Sequence, residues 1–352
     1  LTFDSVIATR NRPEALALSI PLILGQSRQP ERLIVIDSSD DHAPVADTVA
    51  RATRDWPGEV IVEHTDPGLP YQRNRGLAHV RADIVFFPDD DSLLHPGTTE
   101  AIMDAYERDP DEHFAGVCAA DAREPPPGVL PAEKYQMSSD HRRQARFGRL
   151  RNLLVKSFNS LEPGIYVGYI LKARYTPPEW FEGCDCVLVE SMTGYRMSFR
   201  TCAIKAVGFD ETLTEYALFE DTDASFSVAK RGALVGARRA RIYHHKFPSG
   251  RGNEFKLGVM RLLNRSYVTL KHAADAGLTV QETAKTHRLI RNFYRLKILV
   301  MLARLHRADE RMEIRGVLSA RRELDALIAA PRGTLPQTYT EATARALARA
   351  PK

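Results

Sequence analysis

Runs of strand-forming residues at 3–9, 32–37, 59–65, 83–88 and 113–120 alternate with helical patterns that begin near Pro13, Ala43, Tyr71 and Gly97. Alternation with connections this short is what crossover units joining parallel strands require. The chain is therefore expected to fold as α/β around a Rossmann-like sheet. In such sheets ligands gather at the carboxyl ends of the strands. Three of those ends are polar here: ATRNRP after the first run, VIDSSDD after the second and FFPDDDSLLHPG after the fourth.

Beyond residue 122 the alternation weakens. EPPPGVLP reads as an irregular loop and HRRQARFGRLRNLLVKSF as a basic amphipathic helix, so this stretch looks like an insertion. Order returns with a short apolar run at 187–189, helices around 200–207 and 220–231, and a strand through 233–245. After Asn253 the pattern is helical almost to the end.

With 352 residues, 43% hydrophobic and 27% charged, the chain can bury one large core or two modest ones, and its composition does not indicate disorder. The longest strongly apolar stretch, near 296–305, falls far short of the roughly 20 residues a spanning helix needs. Four irregularly spaced cysteines make no disulfide framework, and Cys184-x-Cys186 lacks zinc spacing, which favours a reduced, cytoplasmic protein.

Charge is divided unevenly. From Lys256 onward 19 Lys and Arg face 8 Asp and Glu, a balance of +11, which leaves −7 for the rest of a chain whose total is +4. Nucleic acid is not expected as a partner. The basic helices, 142–156 and those after Lys256, would instead rest against an anionic membrane surface or pack on the body or on a second subunit.

The adjacent carboxylates Asp89, Asp90 and Asp91 pose the sharpest chemical question, since each repels the next. Alternate residues of an extended segment face opposite sides, so Asp89 and Asp91 would share a side while Asp90 turns away. Hard oxygen ligands of this kind suit Mg2+ or Mn2+, held by one or two carboxylates plus substrate phosphates. The plain alternative is a cap for the turn before Pro96. Arg73 and Arg75, at the start of the helix leading into this strand, would clamp phosphate oxygens or lie on the surface. Asp37 would accept hydrogen bonds from a base or ribose, or cap its own turn.

Taken in order, SVIATRNRPEALALSI, LIVIDSSDD, QRNRGLA, FFPDDDSLLHPG, GYRMSFRTCAIKAVGFDETL and FEDTDASFSVAKRG resemble the inverting family 2 glycosyltransferases, which have the GT-A fold. The resemblance runs over about 3–245 apart from the insertion. It implies that residues 1–120 bind the nucleotide-sugar donor and that 121–252, with the insertion at about 122–186, bind the acceptor. Residues 253–352 form a helical extension.

Position by position it implies that Thr9, Arg12 and Asp37 line the nucleotide pocket, with Arg73 near the diphosphate. Asp89 and Asp90 would touch nucleotide or sugar, and Asp91 of this DXD-like triplet would bind the metal. Asp221 matches the catalytic base, with Glu220 orienting the acceptor. His244, or His245 in exchange, completes the metal site. The implied enzyme moves a sugar, UDP-linked by expectation, to a glycan, lipid-linked or surface-polysaccharide acceptor. A nucleotidyltransferase would instead show a Gly- and Lys-rich first loop, and a non-catalytic carbohydrate-binding relative would lack the base or the metal residues.

Overall fold

The computed structural model describes residues 1–129, 163–173, 175–214, 216–247, 253–302 and 308–351. The helix expected at 142–156 lies outside them. The chain divides into two compact units, one built on a sheet (1–136, 172–215 and 220–250) and one of helices (137–171, 216–219 and 251–352).

The sheet unit contains β1 (Phe3–Thr9), β2 (Arg32–Asp37), β3 (Glu59–His64), β4 (Ile84–Pro88), β5 (Ser92–Leu94), β6 (Phe114–Asp121), β7 (Cys186–Leu188), β8 (Arg196–Arg200) and β9 (Ala233–His244). They form one sheet in the order β3-β2-β1-β4-β8-β6-β9-β5, with β7 also paired to β9. The four strands from β3 to β4 are parallel, and β8 runs antiparallel between β4 and β6. The mixed α/β expectation therefore holds. β5 and β8 were not expected as strands.

Helices cover both faces, which is why VIA, LIVI and IVFF are apolar at consecutive positions. On one face lie α1 (Pro13–Leu24), α2 (Ala43–Ala52) and α4 (Thr98–Glu107), whose Leu16, Ile20, Val49, Ile102 and Tyr106 are buried with Ile7, Val35 and Phe86. The other face is closed by α3 (Leu69–His79), which lies close because a side chain at Gly76 would meet Val6 Cγ1 at 2.3 Å. After α5 (Pro163–Ala173), which begins in the helical unit, α6 (Thr201–Lys205) and α7 (Glu220–Val228) complete that layer.

β9 carries the one large irregularity. Ala119 pairs with Ala237 but the next residue, Ala120, pairs with Arg241, so Arg238, Arg239 and Ala240 bulge from the ladder. Past the bulge β9 pairs antiparallel with β5, bringing His244 opposite Ser92.

The helical unit comprises α8 (Glu254–Asp275), α9 (Val280–Leu302), α10 (Ala308–Arg321), α11 (Leu324–Ala329) and α12 (Leu335–Leu347). Asn253 caps α8 by accepting a hydrogen bond from the Phe255 N–H at 2.8 Å. Where α8 crosses α10 two glycines meet: a side chain at Gly258 would stand 2.2 Å from the Glu313 carbonyl, and one at Gly316 2.1 Å from the Phe255 carbonyl. Among the described residues no helix is long and apolar enough to cross a membrane.

Candidate active site

Chain order reverses direction at β1: the connection through α1 leads to β2 on one side, and the strand on the other side is β4. The carboxyl ends of β1 and β4 are thus the topological switch point, where an open α/β sheet offers a crevice. Thr9 ends β1 and donates its hydroxyl to Asp90 Oδ2 at 2.8 Å, and Arg12 Nη1 lies 3.1 Å from Asp90 Oδ1. Burial pushes the Asp90 carboxyl up to about 7 against the pull of Arg12. Asp90 therefore faces inward and tethers the first loop to the triplet.

Asp89 and Asp91 meet at the cation set not through the alternation of an extended segment but through a turn, which the Ser92 N–H closes on the Asp89 carbonyl at 3.0 Å between β4 and β5. Their carboxylates and the imidazole of His244 place one ligand atom each within 4.8 Å of one another. Asp91 Oδ1 is 3.3 Å from His244 Nε2, and Asp91 Oδ2 accepts from the Phe247 N–H at 2.9 Å. Burial pushes Asp91 upward, but His244, the Phe247 N–H and Arg12 outweigh it and hold its carboxyl below the ordinary range. Asp89 is raised, by burial first and then by Asp91, with Arg73 opposing. The assembly depends on β5: the Asp89 N–H donates to Ser92 Oγ at 3.0 Å, and the His245 N–H donates to the Asp91 carbonyl at 3.0 Å. His245 itself is buried and turned from the cluster.

Arg73 is buried and makes two ion pairs, Nη2 to Asp89 Oδ1 at 2.9 Å and Nη1 to Glu220 Oε1. Glu220 opens α7, and burial pushes its carboxyl up to about 8 despite Arg73. Its Oε2 is buried without a hydrogen-bond partner among the described residues. Asp221, beside it and half-buried, accepts from the Gly194 N–H through Oδ2 at 2.9 Å and from the Thr222 N–H through Oδ1 at 2.7 Å.

Asp37 lies at the end of β2 with both oxygens occupied within its own loop. Oδ1 accepts from the Ser39 N–H at 2.9 Å and the Ser39 hydroxyl at 2.5 Å, and Oδ2 is 2.7 Å from His42 Nδ1. To accept from a base or ribose it would have to release one of them. Arg75 pairs with Glu63 on the surface. Sequence reasoning missed Tyr195, whose ring stacks on His244, and Ser92, whose hydroxyl donates to the Tyr195 carbonyl at 2.8 Å.

Residues 5–159 match the sequence profile of glycosyl transferase family 2. Over 199 residues the chain is 25% identical to a glucosyl-dolichyl phosphate glucuronosyltransferase of Haloferax volcanii, covering 53% of this chain and 62% of that one. The chain thus spans under two thirds of this curated relative. A mannosyltransferase from Pyrobaculum calidifontis, solved with GDP-Man and Mn2+, superposes with a TM-score of 0.50 at 15% identity over 98% of this chain and 85% of that one. That likeness concerns the fold alone. Glu220, Asp221 and His244 lie beyond the matched span, whereas Thr9, Arg12, Asp37, Arg73 and the Asp triplet fall inside it. Across the switch-point crevice, residues 5–159 thus match glycosyl transferase family 2, and the fold is that of the GT-A glycosyltransferases.

Proposed function

We propose that this chain is an inverting glycosyltransferase that moves a sugar from a nucleotide-diphospho-sugar to a hydroxyl acceptor, with a divalent cation as cofactor. One observation carries the reading: Asp89, Asp91 and His244 converge into a set able to hold a cation, and Arg73 links Asp89 to the carboxylates that open α7. Two hard carboxylates direct the set toward Mg2+ or Mn2+, and the imidazole favours the softer Mn2+. When bound, the cation would neutralise charge on the leaving diphosphate as a Lewis acid.

Asp221 supplies the base. Its Oδ2 is held by the Gly194 N–H, so the carboxylate is oriented before the acceptor arrives. The acceptor oxygen bonds to the anomeric carbon on the face opposite the diphosphate, and its proton passes to Asp221. The bond from anomeric carbon to phosphate oxygen breaks and its electron pair leaves with the diphosphate. One displacement through an oxocarbenium-like state inverts the centre. Glu220 Oε2, lacking a partner among the described residues, would accept a hydrogen bond from the acceptor and fix its approach.

A UDP-sugar is the proposed donor and a lipid-linked or other glycan the proposed acceptor. The name of the Haloferax relative, whose substrate is a glucosyl-dolichyl phosphate, supports the lipid-linked choice. The test is a thermal-shift panel of UDP, GDP, dTDP and CMP with Mn2+. A nucleotide at 100 times its Kd stabilises the fold by about 2.7 kcal/mol, so one nucleotide should stand out. No shift with any of them overturns the reading. Hydrolysis of the matching nucleotide-sugar only when Mn2+ is present separates a transferase from a non-catalytic binder.

A further inference from the structure

A histidine that ligates a metal is ordinarily oriented through its other ring nitrogen, which donates to a carboxylate, a carbonyl or water. Among the described residues no protein group fills that role for His244. Its Nε2 faces Asp91, and among the described residues no hydrogen bond reaches its Nδ1. Its side chain is 30% exposed at the last position of β9, so the ladder alone does not fix the ring plane. What lies against it is Tyr195, ring to ring at 4.5 Å and 17°.

Tyr195 is itself immobilised at three points. It is 7% exposed, its hydroxyl donates to Asp121 Oδ1 at 2.7 Å, and its carbonyl accepts from Ser92 Oγ at 2.8 Å. Ser92 Oγ in turn accepts from the Asp89 N–H at 3.0 Å. One residue therefore touches the supports of two candidate ligands, His244 through its ring and Asp89 through Ser92.

We infer that Tyr195 is the positioning residue of the cation site: its phenol ring, anchored on Asp121, sets the imidazole plane of His244 and so aims Nε2 at the cation. This rests on the proposed metal role of Asp89, Asp91 and His244. Tyr195 does not ligate the cation. It orients the imidazole through ring contact, and loss of an orienting group typically lowers metal affinity about 10- to 100-fold.

The experiment is a Mn2+ titration of the full chain, without nucleotide, followed by electron paramagnetic resonance, with spin-echo detection of the imidazole nitrogen on the bound ion. Wild type should bind with a nitrogen signal and His244→Ala without it. Tyr195→Leu should bind about 10- to 100-fold more weakly and lose the nitrogen signal, whereas Tyr195→Phe, which keeps the stacked ring, should retain it. Asp121→Ala frees the phenol on an exposed edge and should weaken binding by a smaller factor, so the inference stays testable if the leucine variant does not fold. Wild-type affinity and nitrogen signal in Tyr195→Leu, or in Asp121→Ala should Tyr195→Leu not fold, overturns it. If wild type binds Mn2+ with no nitrogen signal and His244→Ala is unchanged, the metal role of His244 fails instead, and Tyr195 has nothing to position.

Discussion

Replacing Arg73 with methionine removes the one cation shared by Asp89 and Glu220 while keeping an unbranched side chain of similar reach. Breaking a buried pair from one side ordinarily costs about 3–5 kcal/mol, because the remaining charge is stranded. The structure places the cost at the low end near neutrality. Asp89 is 34% exposed and can recruit water, and Glu220, pushed up to about 8, already carries its proton in most molecules at pH 7. The pH dependence is the sharper signature. A carboxyl raised in the folded state above its ordinary 4.5 binds more protons folded than unfolded, so stability falls as pH rises and stops falling near the folded pKa.

In wild type that decline ends near pH 8. In Arg73→Met the pKa of Glu220 lies higher, the decline continues, and the penalty grows by about 1.4 kcal/mol per pH unit above 8. Urea unfolding followed by tryptophan fluorescence measures it, since Trp56 and Trp180 both belong to the sheet unit. A penalty below about 1 kcal/mol near pH 7, or one no larger near pH 9.5 than near pH 7, refutes the reasoning.

Three further outcomes are expected. Asp221→Asn keeps size and hydrogen bonding but cannot take a proton, so turnover should fall by roughly 10² to 10⁴ with donor affinity unchanged; a destabilised variant with wild-type turnover would make Asp221 a helix cap. Gly316→Ala forces α8 and α10 apart and should destabilise the helical unit by about 1–3 kcal/mol; far-UV circular dichroism should lose that stability while the tryptophan-detected transition stays put, and a shift in neither sinks the argument. Glu323 is held below its ordinary range by Arg345 and Arg349 against burial, so its contribution is present above the unfolded pKa and fades as pH falls through the folded value. Glu323→Gln should flatten the acid limb of the helical unit's stability; an unchanged limb contradicts it.

The parallel half of the sheet was legible because its signals are local. Apolar runs bounded by Pro13, Ala43 and the Gly97 turn gave β1 and β2 to the residue, whereas Asp89 and Asp91 come together through a turn between β4 and β5 and not through the repeat of an extended chain. β5 and β8 were not legible. One is three residues long and the other is an antiparallel strand inserted between β4 and β6, so both owe their conformation to partners distant in sequence. Tyr195 was hidden for the same reason: its meeting with His244 requires β8 and β9 to be brought together around β6. Asp37 was visible as a polar strand end, but its saturation by Ser39 and His42 follows from a loop conformation that residue types alone do not dictate.

The bulge in β9 decides which of two adjacent histidines serves the site. Neighbours on a strand point to opposite sides, so His244 and His245 can never both reach Asp91. The choice is made upstream, by the count of residues that leave the ladder between Ala237 and Arg241. Shorten the chain there by one while three still bulge, and His245 arrives opposite Ser92. Let the bulge shrink instead, and His244 keeps its place. Either way an imidazole meets the carboxylates, so the doublet and the bulge together make this corner of the protein robust to single-residue deletion, the kind of change that ordinarily scrambles a strand-borne site.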